Sequence, residues 1–321
     1  MGVRFSLVIP VAPYRNAEII KSIKNLEYPK KNFQVIIING KNPSDNRNIG
    51  AKKSKGEILG FLDDDGLVEK NFLTNVDNFF KKYPEIDIVG GPQLTPKNDR
   101  GFARISGYAL SSKFGAAGVN KRYRIGKLNL DANEKDLTSA NLFAIKHVME
   151  KIKFDTKLWP GEDPKFIDDA KKAGFKVAYC PDFVIYHRRR PTLKGFIGQI
   201  YSYGKARPLK EPTRDTIKKP VFLVPSIFIF YLIFLIAIII KKTLASGKLA
   251  GINTLSQVSI FPLTPLLLYF ILSIIFGIYD SSKNKEYKAV IFLPIIYAII
   301  HLSYGLGMIR GFIKKIEGKK I

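Results

Sequence analysis

Three long runs without a charged residue fill most of the C-terminal third of the chain. They cover residues 221–240, 249–279 and 289–309. A helix needs about 20 apolar residues to cross the hydrocarbon core of a bilayer. The first and third runs reach that length, and the second reaches it if its helix begins near residue 257 and tolerates two prolines. The sequence therefore predicts a transmembrane region over residues 220–321, with helices near 221–240, 257–279 and 289–309.

The chain is also strongly basic, with a formal net charge of +25. A basic domain tied to a membrane suits anionic lipid headgroups and phosphorylated substrates. Nucleic acid is not expected as a partner, because no basic-aromatic RNA motif or zinc finger is visible. The single cysteine excludes a disulfide scaffold and a cysteine-ligated zinc site.

Basic residues in the stretch 206–219 precede the first apolar run and form a predicted juxtamembrane linker. Cytoplasmic loops carry an excess of Lys and Arg, so this linker favours a multi-pass protein of the cell membrane with a cytoplasmic N-terminal domain. With three spans, the basic C-terminal tail would lie on the non-cytoplasmic side of the membrane, which conflicts with the preference of basic residues for the cytoplasmic side. The sequence leaves the number and the orientation of the spans open.

The N-terminal part alternates between short apolar runs and amphipathic segments. This alternation is typical of a parallel sheet with helices on both faces, which binds ligands beyond the carboxyl ends of its strands. Ser44 is a candidate cap for the second helix. The predicted strands cover residues 5–10, 33–38, 58–62 and 86–89, and the predicted helices cover 16–26, 44–53 and 71–82.

The strongest chemical feature is FLDDDG, in which Asp63, Asp64 and Asp65 follow the third predicted strand. No basic residue adjoins these carboxylates in the sequence, and their mutual repulsion is costly unless a cation lies among them. Hard divalent cations such as Mg²⁺ take oxygen ligands and commonly join carboxylates to substrate phosphates. The alternative is an acidic turn that caps the following helix.

The segment that leads into these aspartates, NRNIGAKKSKGEILGFLDDD, resembles glycosyltransferase family 2, the inverting GT-A enzymes that use nucleotide-sugar donors. The first strand, which ends at Pro10, is similar to the first strand of that family. The resemblance extends over about residues 5–205. The family pattern is matched by Arg47, Asn48, Gly50, Gly56, Glu57, Asp63 and Asp65.

This resemblance implies a Rossmann-like mixed sheet with helices on both faces over residues 1–205. It implies that Asp63 approaches the nucleoside or ribose, that Asp65 binds Mg²⁺ or Mn²⁺, and that Arg47 contacts the nucleotide. The family usually has an acidic residue after the second strand, where this chain has Asn39, which can still hydrogen-bond a base edge; we favour a UDP-sugar donor. The implied donor-binding residues are Pro10, Asn39, Arg47, Asn48, Asp63, Asp64 and Asp65.

A second acidic pair, Glu162 and Asp163, lies about a hundred residues later in the segment WPGEDPK. Trp159, which begins this segment, is a candidate contact of the acceptor. By itself the pair is typical of a helix N-terminus, where the helix dipole favours carboxylates. The family has a Glu-Asp pair at this place, and its Asp is the general base. The resemblance therefore implies that Asp163 is the base and that Glu162 holds the acceptor or orients the loop.

Two polar segments complete the predicted site. The segment TSAN contains Ser139 and Asn141, and in the family this loop lies near the donor sugar and the acceptor; an ordinary polar turn is the alternative. His187 precedes three arginines, of which Arg188 is the first. His187 is a candidate for facing the diphosphate or completing the metal shell, and Arg188 is a further candidate site residue on the acceptor side. A basic patch at the membrane surface is the alternative.

Residues 192–207 form an amphipathic stretch that is expected between the soluble domain and the bilayer. Processive polysaccharide synthases of the family carry QxxRW here, whereas this chain has Gln199 without the rest of the motif, which argues against a long-chain polymerase. The segment 301–311 resembles the last span of family members of the succinoglycan-assembly type. His301 in it is a functional candidate, with helix packing through Gly305 and Gly307 as the alternative.

Together these features predict a membrane-anchored glycosyltransferase that moves a single sugar from a nucleotide donor to a lipid-linked or glycan acceptor, in surface polysaccharide or glycoprotein assembly. Membrane lipids are a further expected partner. Two alternatives stay open: a nucleotidyltransferase that uses metal and nucleoside triphosphate, and a membrane-tethered nucleotide-sugar binding protein without activity. The sequence does not identify the sugar, the acceptor, the linkage or the oligomeric state.

Overall fold

The fold was analysed in a computed structural model that describes residues 2–246 and 261–318. Within residues 2–246, one six-stranded sheet runs in the order β2-β1-β3-β7-β5-β8, and a smaller sheet runs in the order β4-β9-β6. The strands are β1 (Phe5–Val11), β2 (Phe33–Asn39), β3 (Ile58–Leu62), β4 (Gly66–Val68), β5 (Ile88–Gly90), β6 (Gln93–Leu94), β7 (Asn141–Ile145), β8 (Val177–Tyr179) and β9 (Ile185–His187).

The large sheet is mixed. Strands β2, β1 and β3 are parallel, as the alternating sequence predicts. The next predicted strand, β5, does not pair with β3, because β7 lies between them and is antiparallel to both. The expectation of a purely parallel sheet is thus wrong, and the mixed sheet implied by the family resemblance is confirmed. Alternation along the chain identifies strands, but it does not show which strands pair. Here β7, about fifty residues after β5 in the sequence, inserts between β3 and β5.

Helices cover both faces of this sheet, and each face has its own core. The predicted helix 16–26 is shorter than expected, and the second helix is capped by the side chain of Asn42, not Ser44, with Pro43 in its first turn. Proline is favoured there because its missing N–H would be unpaired anyway. The helices are α1 (Ile20–Lys24), α2 (Pro43–Lys53), α3 (Phe72–Lys82), α4 (Gly101–Ser111), α5 (Lys113–Ala116), α6 (Lys146–Lys151), α7 (Glu162–Lys172), α8 (Leu193–Ala206) and α9 (Thr213–Ile217).

Three C-terminal helices in the described part of the chain are long and apolar enough to cross a membrane. They are α10 (Val224–Ser246), α11 (Thr264–Lys283) and α12 (Ala289–Ile316). The predicted start of the second helix, near residue 257, lies outside the described residues. Both prolines are accommodated, since Pro262 lies in a 3-10 turn before α11 and Pro265 lies in its first turn. A third core joins α4, α5 and α8 to α11 and α12.

The basic stretch 206–219 is not simply a surface for lipid headgroups. Glu134 is buried, and it accepts hydrogen bonds from the Arg207 guanidinium at 2.8 and 3.0 Å and from Lys219 Nζ at 2.6 Å. Lys210 Nζ lies in the same cluster, between Glu134 and Asp168. Burial alone would raise the pKa of Glu134, but the charges of Arg207 and Lys210 outweigh burial and hold it well below its usual range. These three cations therefore attach the stretch to the N-terminal domain. The boundaries 206–219 remain a prediction.

Candidate active site

The predicted site residues meet at the carboxyl ends of β1, β2 and β3. Asp63 directly follows β3, and Glu162 and Asp163 form the first turn of α7. Arg47, on α2, lies between the two groups. Its Nη2 donates to Asp63 Oδ1 at 3.0 Å, its Nη1 donates to Glu162 Oε1 at 3.0 Å, and Nη1 lies 3.9 Å from Asp163 Oδ1. One buried guanidinium therefore brings both acidic motifs into a single site.

This arrangement changes the acidity of the carboxyl groups. Burial would raise the pKa of Asp63, but the hydrogen bond from His187 and the charge of Arg47 lower it to about 2. The pKa of Glu162 shifts in the opposite direction. Burial and the neighbouring charge of Asp163 raise it, and they outweigh the positive charge of Arg47, which lowers it. Asp63 is thus a permanent anion at neutral pH, whereas Glu162 holds its proton more tightly than an ordinary glutamate.

Asp64 and Asp65 also have a basic neighbour, although none adjoins them in the sequence. Arg15, in the loop after β1, places Nη2 at 3.2 Å from Asp64 Oδ1 and at 3.0 Å from Asp65 Oδ2. Asp64 is buried, and its other oxygen, Oδ2, has no hydrogen-bond partner among the described residues. Burial raises the pKa of Asp64 to about 6, although the positive charge of Arg15 acts to lower it.

Replacing Asp64 by asparagine is expected to stabilise the metal-free protein at neutral pH. The pKa of Asp64 is raised on folding, so the native state carries an ionisation penalty that is absent at low pH and fully present above about pH 6. We expect a gain of about 1–2 kcal/mol in the free energy of unfolding at pH 7–8. Denaturant unfolding in EDTA across this range checks it. A variant that is no more stable than the parent at neutral pH contradicts the prediction.

His187 joins the aspartates because of strand pairing. Strand β4 begins directly after Asp65 and pairs antiparallel with β9, in the register Gly66 to His187. His187 Nε2 lies 3.1 Å from Asp65 Oδ1 and 3.5 Å from Asp63 Oδ2, and its Nδ1 lies 3.0 Å from the carbonyl oxygen of Arg188. Burial lowers the pKa of His187, but the Asp63 hydrogen bond and the charges of Asp65 and Asp63 outweigh it and raise the pKa.

Asp63, Asp65 and His187 could hold a divalent cation. Each contributes a ligand atom, and these atoms lie within 4.8 Å of one another. If the Nδ1 proton of His187 is donated to the Arg188 carbonyl, Nε2 presents a lone pair to an ion. Two carboxylate oxygens and one imidazole nitrogen suit Mn²⁺, whereas Mg²⁺ prefers oxygen ligands. The five site carboxylates outnumber the charges of Arg15 and Arg47, so a cation would also reduce repulsion.

Asp163 is held in place from the side of β7. The buried hydroxyl of Ser139 donates a hydrogen bond to Asp163 Oδ1. Gly161 caps α7 with φ of +118°, a backbone conformation that favours glycine, and a Cβ there would lie 3.1 Å from Ala206 Cβ on α8. The acidic pair does begin a helix, α7, as its pattern indicates, so Asp163 both lies in a first helical turn and faces the site.

Four other predicted residues make contacts of their own. Asn39 is exposed at the last position of β2, and Trp159 is exposed in the loop before α7. Asn141 is buried and donates to the carbonyl of Phe183, and Pro10 is buried inside β1. None of these four residues takes part in the ion pairs of the central cluster.

Asn48 and Arg188 make contacts that their predicted roles do not include. The amide of Asn48 donates to the Phe154 carbonyl at 2.9 Å and accepts from the Phe154 N–H at 3.0 Å, so it braces the segment before α7. Arg188 lies 3.7 Å from Glu18 and does not reach the aspartates. Their roles in ligand binding remain predictions.

Sequence reasoning missed two residues of the site. Arg15 holds Asp64 and Asp65, and Asn46 donates from its buried amide to the carbonyl of Gly40 at 3.0 Å, which fixes the turn after β2. A Cβ on Gly40 would lie 2.3 Å from Asn46 Oδ1, so this turn packs closely on α2. Asn46 lies within the family-like segment, but no motif singles out Arg15.

The mixed sheet, with acidic residues at the carboxyl ends of its parallel strands, is typical of the GT-A fold. Comparison with known proteins agrees with this class. Residues 14–153 match the family model of Glycosyl transferase family 2. The chain carries a glycosyltransferase family 2 domain, and it is a glycosyltransferase. The predicted family and the predicted enzyme class are thereby confirmed.

Two relatives extend over nearly the whole chain. A dolichyl N-acetyl-alpha-D-glucosaminyl phosphate 3-beta-D-2,3-diacetamido-2,3-dideoxy-beta-D-glucuronosyltransferase from Methanococcus voltae is 23% identical over 325 residues, which cover 90% of each chain. The solved mannosyltransferase PcManGT from Pyrobaculum calidifontis, in complex with GDP-Man and Mn²⁺, is 12% identical and has a TM-score of 0.51. That match covers 98% of this chain and 88% of PcManGT, and it supports the fold.

Proposed function

We propose that this protein is a metal-dependent inverting glycosyltransferase that moves one sugar from a nucleotide-sugar donor to a lipid-linked acceptor at the cytosolic membrane face. The observation that carries this proposal is the bridge through Arg47, which holds the aspartate cluster and the Glu162–Asp163 pair in one site. The reaction needs donor-binding carboxylates and a proton acceptor in one site. Surface polysaccharide or glycoprotein glycan assembly is the process it would serve.

The donor half of the site is built from Arg47 and the three aspartates. Asp63, Asp65 and His187 would hold Mg²⁺ or Mn²⁺ against the donor diphosphate. Such an ion, when bound, neutralises charge on the departing nucleoside diphosphate. Asn39 lies at the end of β2, where its amide can hydrogen-bond a base edge, and a UDP-sugar is the donor that we favour.

Asp163 supplies the general base. The acceptor hydroxyl oxygen bonds to the anomeric carbon of the sugar while the bond from that carbon to the diphosphate oxygen breaks. The hydroxyl proton passes to a carboxylate oxygen of Asp163, on the face opposite the leaving group, which inverts the anomeric centre. Ser139 orients that carboxylate by donating to Oδ1, and Glu162 is fixed by Arg47 beside it.

The acceptor is proposed to be lipid-linked for two reasons. The Methanococcus voltae relative is named for a dolichyl phosphate-linked sugar acceptor. The apolar helices α11 and α12 pack on the same domain as the site, through α4, α5 and α8. The chain is proposed to consist of a catalytic domain (1–205), a linker (206–219) and a membrane region (220–321).

Removal of the metal is expected to abolish transfer and to weaken donor binding, because the clustered carboxylates would then repel the donor diphosphate. The detergent-purified full chain would be screened against UDP-, GDP- and CDP-sugars with Mn²⁺, with EDTA, and after Mn²⁺ is restored. Released nucleoside diphosphate supports sugar transfer, whereas released pyrophosphate would identify a nucleotidyltransferase.

Two variants sharpen this experiment. Asp65→Asn should bind donor weakly with or without metal, whereas Asp131→Asn, which changes an exposed aspartate paired with Lys171 away from the site, should respond to EDTA like the parent. Donor binding that is indifferent to EDTA in the parent protein contradicts the metal assignment. Turnover that persists in EDTA contradicts metal dependence as a whole.

A further inference from the structure

Helix α12 packs against the catalytic domain along its whole length. Buried residues recur on one face of α12 every three or four positions, from its first turn to its last. On the catalytic side their partners lie on α4 and α8 and include Leu110, Phe196 and Ile200. Helices α10 and α11 also contact α12. The buried residues on this face include Ala289, Leu293, Ile296, Ile300, Gly307 and Gly311.

Both ends of α12 are held by residues of the catalytic side. Just before the helix begins, Glu286 lies 3.4 Å from the guanidinium of Arg104 on α4. Near its other end, Lys315 Nζ donates to the carbonyl oxygen of Pro208 at 2.6 Å, directly after α8. Lys315 also donates to the carbonyl of Glu211, in the stretch that is bound to Glu134.

Between these ends, α8 and α12 lie in close backbone contact. A Cβ on Gly204 of α8 would lie 2.1 Å from the carbonyl oxygen of Tyr304, and a Cβ on Gly307 would lie 2.0 Å from that of Tyr201. One turn later, a Cβ on Gly311 would lie 2.2 Å from the carbonyl oxygen of Lys205. The contacts advance in the same direction on both helices, so α8 and α12 run side by side.

This packing argues against a transmembrane α12. A helix of 28 residues is about 40 Å long and would place its ends on opposite sides of a hydrocarbon core of about 30 Å. The catalytic domain would then have to enter the bilayer together with α8, or release the contacts at one end of α12. Neither is needed if α12 lies parallel to the membrane surface.

We propose that α12 is an interfacial helix that lies in the plane of the membrane surface, with both of its ends on the side of the catalytic domain. The side chains of α12 that face away from the domain are apolar and exposed at both ends, as an in-plane helix against lipid requires. They include Ile291, Ile295, Leu306, Ile313 and Ile316.

Basic residues at the C-terminal end of α12 fit an anionic lipid surface. The charges of Arg310 and Lys314 act on Lys205 at the end of α8. Among the residues that the structure describes, none of these three cations has an ion-pair partner. Clustered cations beside an apolar helix favour anionic headgroups. An in-plane α12 also keeps the basic C-terminal tail on the same side as the basic stretch 206–219, which removes the charge conflict of three spans.

Cysteine labelling of the full chain in membranes tests this topology without reference to activity. Cys180 is buried, so the parent chain should not react with a membrane-impermeant maleimide. Glu85→Cys, after α3, reports the side of the catalytic domain, and Ile316→Cys reports the end of α12, where the side chain is 86% exposed. Intact cells, sealed inverted vesicles and detergent-permeabilised vesicles would be compared.

We expect Ile316→Cys to be labelled in the same preparation as Glu85→Cys. Labelling from opposite sides would overturn the proposal, and so would a thiol at position 316 that reacts only in detergent. Protease digestion of a C-terminal epitope tag in the same vesicles provides a second readout if Ile316→Cys folds poorly. Because neither readout needs turnover, the result stands whether or not the proposed reaction is correct.

Discussion

Replacing Arg47 by methionine is expected to lower the free energy of unfolding by about 3–5 kcal/mol, because it leaves buried carboxylates without their cation. Arg47 is buried and pairs with Asp63 and Glu162 at 3.0 Å each. Denaturant unfolding of the detergent-solubilised protein at pH 7 measures the loss. Sugar transfer should also disappear, since the two halves of the site are no longer held together.

Two further variants make this result specific. Arg15→Met removes a guanidinium that also pairs with two aspartates but is 47% exposed, and exposed pairs contribute only about 0–1 kcal/mol. Glu162→Gln in the Arg47→Met background should restore part of the lost stability, because it removes one of the stranded charges. Equal effects of Arg47→Met and Arg15→Met would contradict the buried bridge.

Replacing Asp163 by asparagine is expected to reduce kcat about 10²–10⁴-fold, because the amide keeps the shape of the carboxylate but cannot accept the acceptor proton. Donor affinity should change little, since the donor contacts proposed here lie on the aspartate cluster and Arg47. Single-turnover assays with a donor and a lipid-linked acceptor measure the first quantity, and calorimetric titration of the donor measures the second.

The matched control lies on the same helix. Asp169→Asn removes a carboxylate of α7 that pairs with Lys165 one turn away, and it should leave kcat unchanged. A normal kcat in Asp163→Asn would reject the base assignment. An equal loss of donor binding and of kcat would instead show that Asp163 serves to shape the donor pocket.

Much of the site could be predicted from the sequence because its motifs are local. Asp63, Asp64 and Asp65 follow a buried strand directly, and the carboxyl end of such a strand is where an α/β sheet binds ligands. The Glu162–Asp163 pair was identified by resemblance to the family, and the structure places it beside Arg47.

Other contacts could not be predicted from the sequence. Arg15 reaches Asp64 and Asp65 from a loop fifty residues earlier, and no local pattern distinguishes it from other surface arginines. His187 meets Asp65 because β9 pairs with β4 in one register, and a shift of one residue would turn its side chain to the opposite face.

The sequence by itself determined four strands (β1, β2, β3 and β5), most of the helices and the apolar character of residues 220–321, because hydrophobic periodicity and run length are properties of neighbouring residues. Only the tertiary structure decided that β7 enters the sheet antiparallel and that Arg47 bridges the two acidic motifs. It also decided that α12 lies along α8. Length and composition cannot distinguish a helix that crosses a membrane from one held against a domain, because that difference depends on which surface covers the helix.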